Sequence, residues 1–215
     1  MTSLAVRSFL TMLVVVDPVG LVPMFLVLCT ERAAGEKRQI ARRAVATAAG
    51  ILLAFALGGS WLLTRLGISL GAFQVAGGIL LFWIAVRMVF AEHQRETAAE
   101  AEEARSRPDV SIFPLAIPII AGPGSMASIL ILMGEARASL EGTLIVLAAT
   151  GIVLLSCYLA LRLSEPLARV LGQTGINVVT RVLGVLLAAL AVQYVADGAL
   201  IVLHISGELR TGGFQ

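Results

Sequence analysis

Charge is scarce in this sequence: Asp, Glu, Lys and Arg make up 14% of its 215 residues, against about 25% in ordinary soluble domains. Hydrophobic residues reach 58%, where about 45–50% is usual, and mean hydropathy is +0.94. Such a shortage of charge belongs to a chain embedded in a lipid bilayer. The net charge of only +2 gives a nucleic-acid partner no support. Cysteine is nearly absent too. Cys29 and Cys157 both lie in or beside apolar runs and read as small buried hydrophobes, not as a disulfide or metal pair, and no zinc-type spacing occurs. No cofactor or metal is expected. Ser/Pro-rich linkers are also missing, and the length suits a single domain. The opening apolar stretch runs past Asp17 without a small-residue cleavage site, so it reads as retained.

A helix needs about 20 mostly apolar residues to cross a bilayer. Six stretches qualify: 8–30, 44–64, 68–86 (continuing toward Phe90), 110–134, 142–161 and 176–203, the last interrupted by Arg181 and Asp197. Strands of a membrane β-barrel would be shorter and would alternate in polarity. One set of connecting segments holds eleven cations, among them Arg32, Lys37, Arg38, Arg42, Arg43, Arg162 and Arg169, whereas the other holds four, Arg7, Arg65, Arg137 and Arg210. Positive charge stays on the cytoplasmic side, so both termini are expected to face outward. The stretch "EHQRETAAEAEEARSR" (92–107) mixes signs like a solvated helix or linker, with His93 in water.

Two of the six spans are broken. "VVVDPVGLVPMFL" (14–26) carries Asp17, Pro18, Gly20 and Pro23 in the middle of a run with no other charge, and "PLAIPIIAGPGSMASIL" (114–130) carries Gly122, Pro123 and Gly124. These breaks correspond at an offset of 105. "GILLFWIAVRMV" (78–89) and "GVLLAALAVQYV" (184–195) agree at six of twelve positions at an offset of 106. The expected fold is therefore all-α, with six transmembrane helices in two three-helix repeats and the first and fourth helices discontinuous. The expected parts are a first repeat at 1–91, a charged cytoplasmic linker at 92–109, a second repeat at 110–204 and a tail at 205–215. An odd number of spans per repeat inverts the second copy in the membrane. Inverted repeats with broken helices at matching places mark secondary transporters, and the breaks mark the binding site.

Proline suits the first position of a helix and lacks an N–H. Pro18 and Pro123 are each expected to start a half-helix, with Asp17 and Gly122 as N-caps. The half-helix starts would offer free N–H groups and positive dipole ends to an anion, and Gly20, Gly122 and Gly124 would let a ligand approach the backbone. Asp17 either caps its own half-helix or meets the cationic part of a zwitterion or a coupling ion. An intramembrane carboxylate usually faces a water-filled interior. Pro23 and Ser125 complete the expected substrate-binding set. Gln74, Arg87, Arg181, Gln193 and Asp197 are weaker candidates for lining the cavity or coupling, each with a packing, snorkelling or capping alternative. Trp61 and Trp83 read as lipid-facing or packing residues.

At "DPVGLVP" (17–23), "FPLAIPIIAGPG" (113–124), "FQVAGGILL" (73–81) and "AVQYVADG" (191–198) the chain resembles the MarC family of six-span bacterial inner-membrane proteins, from residue 8 to 204. The resemblance implies transport of small neutral amino acids, inverted repeats, and a wider kinship with exporters of the LysE type. The family pattern usually has Asn where this chain has Asp17, which adds a negative charge. The expected function is a secondary transporter of small neutral amino acids, glycine- or alanine-like, working with the bilayer and a coupling proton or Na+. The alternative is an exporter or channel for another solute (ion, drug or lipid-linked carrier). An intramembrane enzyme would need a nucleophile with a base in reach, and the chain has no Gly-x-Ser-x-Gly stretch. A purely structural subunit would leave both breaks unexplained.

Overall fold

The computed structural model describes residues 2–30, 32–90, 109–136 and 139–211, with side chains through Leu203. The linker expected at 92–109, with His93, lies outside the described residues except for Asp109; so do Arg137, the side chain of His204 and the last residues of the expected tail.

Every element is helical among the described residues. α1 (Thr2–Val16) and α2 (Leu21–Leu28) form a pair bent by 42°. α3 (Ala34–Arg65) and α4 (Leu70–Val89) follow. A second bent pair, α5 (Ser111–Ile120) and α6 (Pro123–Glu135), turns by 52°, and α7 (Leu140–Arg162) and α8 (Ser164–Thr211) complete the chain. Among the described residues, four helices are long and apolar enough to cross a membrane, or up to six spans if each bent pair counts as one. Each half thus consists of a bent pair followed by two helices. The discontinuities fall in the first and fourth of these six units, as the prolines predict.

Helix ends follow local chemistry. Ser69 and Ser139 cap α4 and α7 by accepting the N–H of Ala72 and Gly142. Gly67, at φ 69°, ends α3. Its own N–H reaches Thr64 O and that of Ile68 reaches Leu63 O, a pairing that satisfies the last carbonyls. Two connecting segments differ from expectation. Residues 34–43, charged but rich in good helix formers, extend α3 to 32 residues, or about 48 Å at about 1.5 Å per residue, longer than the bilayer core. Residues 164–171 are also helical, until Gly172 (φ 63°, ψ 173°) breaks α8. α5 winds irregularly because Phe113 and Ile117 are extended, as residues before proline prefer. The chain enters α5 at Asp109, whose carboxylate accepts the N–H and hydroxyl of Ser111 and faces Arg43 at 3.7 Å. These hydrogen bonds hold its carboxyl below the usual range.

The bundle has two ends. Lys37 pairs with Glu165 at 2.9 Å and Arg43 with Asp109 at one end; Arg7 lies near Glu135 and Asp197 at the other. These are called the Lys37 end and the Arg7 end. One buried cluster joins α1, α2, α3, α5, α6 and α7, and a second joins α1, α4, α6 and α8. Cys29 and Cys157 are both buried and free. Trp61 and Trp83, each more than 60% exposed, lie on the outer surface, where lipid would cover them.

α4 and α8 pack along a line of glycines. A Cβ on Gly71 would lie 2.9 Å from Gly198 O, and one on Gly198 would lie 2.7 Å from Gly71 O. Farther along, Gly78 abuts Ala191 and Val195, and Gly184 abuts Ala85 and Val89. As the α4 number rises the α8 number falls, so the two helices run antiparallel.

Candidate functional site

The first break is built around Asp17. Its N–H closes α1 on Leu13 O at 3.0 Å, and Pro18 then removes a donor from the ladder. Asp17 Oδ1 accepts the N–H of Gly20 at 3.0 Å and its carbonyl accepts that of Leu21 at 3.3 Å, two hydrogen bonds that close the turn between α1 and α2. Asp17 itself has φ 45°, and regular winding begins only at Leu21, three residues later than Pro18 as a first helical residue would place it. Gly20, not Asp17, therefore immediately precedes α2, and the Asp17 carboxylate closes the turn before the helix instead of capping it as expected.

The second break follows the expected pattern. Gly122 is the N-cap of α6 in extended conformation, and Pro123 stands at its first position. No side chain caps this helix end. The buried Ser125 hydroxyl donates to Ile120 O and Gly122 O, at 2.8 and 3.0 Å, and so fastens the break from inside.

The breaks are neighbours. Ile119, just before the second, lines the same cavity as Asp17 and Gly20 in the first, and Val15 packs toward Gly124. The cavity has a volume of about 210 Å³. Its polar lining is Asp17, Gln173 and Thr180; Pro23, Met24, Val27, Ile84 and Met88 supply apolar wall. Asp17 is only 7% exposed. Thr180 on α8 faces it, with a hydroxyl that falls short of hydrogen-bond geometry. From Asp17 the lining runs along α2 to Val27, and it takes Ile84 and Met88 from the late turns of α4 and Gln173 from the start of α8. The cavity therefore extends toward the Lys37 end. Such a chamber can hold a small solute, with a carboxylate for a cationic group and an apolar wall for a short side chain.

The three glycines act differently from expectation. A Cβ on Gly20 would collide with the Asp17 carboxylate, one on Gly122 with Pro118 O, and one on Gly124 would press Ile84 and Leu81 at 3.0 and 3.2 Å. Protein atoms, not a ligand, fill the space each glycine leaves. Of the expected binding residues, Asp17, Gly20 and Pro23 line the cavity and Pro18 is buried in the turn above it; Gly122, Pro123, Gly124 and Ser125 shape the second break outside the lining. Gln74 and Asp197 lie together at the Arg7 end, and Gln193 donates to Asp197 at 2.7 Å. Arg87 is half-buried near the cavity-lining Met88, and Arg181 is exposed on α8 beside Thr180. Sequence reasoning passed over Thr180, Gln173, Arg7 and Glu135. An oxygen-bearing or charged side chain within an apolar stretch was the available signal for Thr180 and Glu135.

Residues 2–203 match the MarC family, described as integral membrane proteins. A UPF0056 membrane protein of Aquifex aeolicus is 41% identical over 197 residues, covering 91% of this chain and 92% of its own. YvbG of Bacillus subtilis is 34% identical (92% and 95% covered), and YhcE of Escherichia coli is 32% identical (89% and 90%); both are named UPF0056 membrane proteins. No solved structure matches the chain. With paired broken spans in an all-helical bundle and relatives along nearly its whole length, this multi-pass chain belongs to the MarC family of integral membrane proteins.

Proposed function

We propose that the chain is a secondary transporter of small neutral amino acids such as glycine and alanine, working by alternating access at the cavity between its two broken helices. The observation that carries this reading is the adjacency of the breaks, with one buried carboxylate in the chamber they share. Irregular backbone at membrane depth is tolerated where protein covers it or where it lines a cavity, and transporter sites are built from such breaks. At about 210 Å³ the chamber is smaller than the about 300–1,000 Å³ typical for drug-sized ligands, which suits a solute of a few heavy atoms. Asp17, the acidic group in the lining, would meet the ammonium group of the solute.

The antiparallel packing of α4 on α8 supports an inverted repeat. A two-fold axis in the membrane plane reverses the direction of corresponding helices, whereas an axis along the membrane normal would leave them parallel. Gly78 and Gly184, equivalent at the offset of 106, each meet an Ala and a Val that are equivalent at the same offset. The excess of cations at the Lys37 end supports an orientation with that end in the cytoplasm and both termini outside, in the bacterial inner membrane. A proton or Na+ is the proposed coupling ion, and no enzymatic step is proposed.

A second reading, an exporter or channel for another solute, draws on one observation: Asp17 makes the cavity lining negative, which suits a cation as cargo. Uptake and counterflow of labelled glycine and alanine in proteoliposomes decide between the two. Flux above empty liposomes supports amino-acid transport; no flux in either direction, with and without a proton gradient, refutes it.

A further inference from the structure

A second group of charges sits half-buried at the rim of the bundle at the Arg7 end, away from the Asp17 cavity. The Arg7 guanidinium lies 3.2 Å from Glu135 Oε1 and 3.7 Å from Asp197 Oδ2, and 5.6 Å from the centre of the Tyr194 ring. One cation thereby ties α1 to α6 and α8, which belong to the other half of the chain. Directly inside this tie, polar groups are buried: the hydroxyls of Thr11 and Tyr194, which face one another, and Gln74, whose Oε1 has no hydrogen-bond partner among the described residues and whose side chain lines a recess shared with Arg7, Glu135 and Asp197. Buried polar groups need hydrogen-bonding partners, and a row of them beneath the tie is the lining that a path for a polar solute requires. Along α1 and α6, Val14 and Ile131 lie between this group and the break, and both belong with Tyr194 to one buried apolar cluster.

The Lys37 end joins the two halves through different pairs, Lys37–Glu165 and Arg43–Asp109. At the repeat offset of 105 or 106, the positions equivalent to Arg7 are Ile112 and Phe113, and those equivalent to Glu135 are Thr30 and Cys29, none of them charged, so the Arg7–Glu135 pair has no repeat copy. The cavity extends toward the Lys37 end.

We infer that Arg7, Glu135 and Asp197 form the gate of the transport path at the Arg7 end. With the pairs made, the path is shut above Thr11 and Tyr194 and the Asp17 cavity communicates with the Lys37 end. The pairs part when access alternates. While the pairs are made they bias the protein toward the arrangement described above. This inference rests on the alternating-access reading but not on the identity of the solute.

The test uses the full chain in proteoliposomes, with Cys29→Ala and Cys157→Ala as background. Thr11→Cys and, separately, Val27→Cys are labelled with a membrane-impermeant maleimide added from either side. Adding Arg7→Gln is expected to raise labelling of the position-11 cysteine from the Arg7 side by about tenfold, within the usual range of a coupling free energy, while labelling at position 27 from the other side falls. Arg7→Lys, which keeps the charge, should stay near the parent rate. Glu135→Gln should act in the same direction as Arg7→Gln and supplies the reading if the latter fails to insert. Unchanged labelling at both positions overturns the gate, as does a rise at both, which reports loosening of the fold. Labelling that shifts as expected in a protein without glycine flux would leave the gate standing and remove the substrate reading. Flux with unchanged labelling would do the reverse.

Discussion

The Asp17 carboxylate folds back over Gly20, accepting its N–H at 3.0 Å in space that any Cβ at position 20 would occupy. The carboxylate therefore reaches its place in the cavity only because residue 20 has no side chain. Gly20→Ala is expected to displace the carboxylate and cut transport at least tenfold while the protein still inserts. Flux in proteoliposomes checks this, and wild-type flux would show that the position of the carboxylate is unimportant.

Asp17 has two roles, which substitutions separate. Asp17→Asn keeps an oxygen for the Gly20 N–H and should cost little thermal stability, while removing the negative charge from the cavity. Asp17→Ala loses the turn hydrogen bond as well, at about 1 kcal/mol. A thermal scan of purified protein should therefore rank wild type and Asp17→Asn together, above Asp17→Ala. Equal melting of all three would deny that bond any weight.

The glycine seam between α4 and α8 predicts a contrast. Gly198→Ala drives a methyl group toward Gly71 O, a backbone atom that cannot rotate away, and should destabilise by about 1–3 kcal/mol. Gly50→Ala in α3 meets nothing within 4 Å and should stabilise by up to about 1 kcal/mol. Melting temperatures shifted in opposite directions are the expected result.

Gly124→Leu is expected to lower stability as well as transport, because Leu81, Ile84 and Val15 already fill the space around that residue. A variant with wild-type melting and lost flux would instead place a ligand against residue 124.

Much of the fold was legible because a bilayer imposes simple rules. Runs of apolar residues mark the spans, and Pro18 and Pro123 mark the breaks, since proline cannot continue a hydrogen-bond ladder. Hydropathy reports where the membrane ends, not where a helix ends, so 34–43 and 164–171 read as connections although their residues favour helix. The candidate site was half legible. Asp17 stands out as a lone charge, but Thr180 reaches it from more than 160 residues away, and such adjacency comes from packing alone. Gly20, Gly122 and Gly124 announced close approach, yet a missing side chain does not say which atoms take its place. Arg7 counted only as a loop charge because its partners, Glu135 and Asp197, lie in the other half of the chain.

The most direct measurement of whether the chamber beside Asp17 receives the solute is alkylation of Thr180→Cys in protein lacking Cys29 and Cys157. Glycine or alanine should slow the modification several-fold, whereas tryptophan, too large for a space of about 210 Å³, should leave it unchanged. A rate indifferent to all three amino acids would contradict binding there.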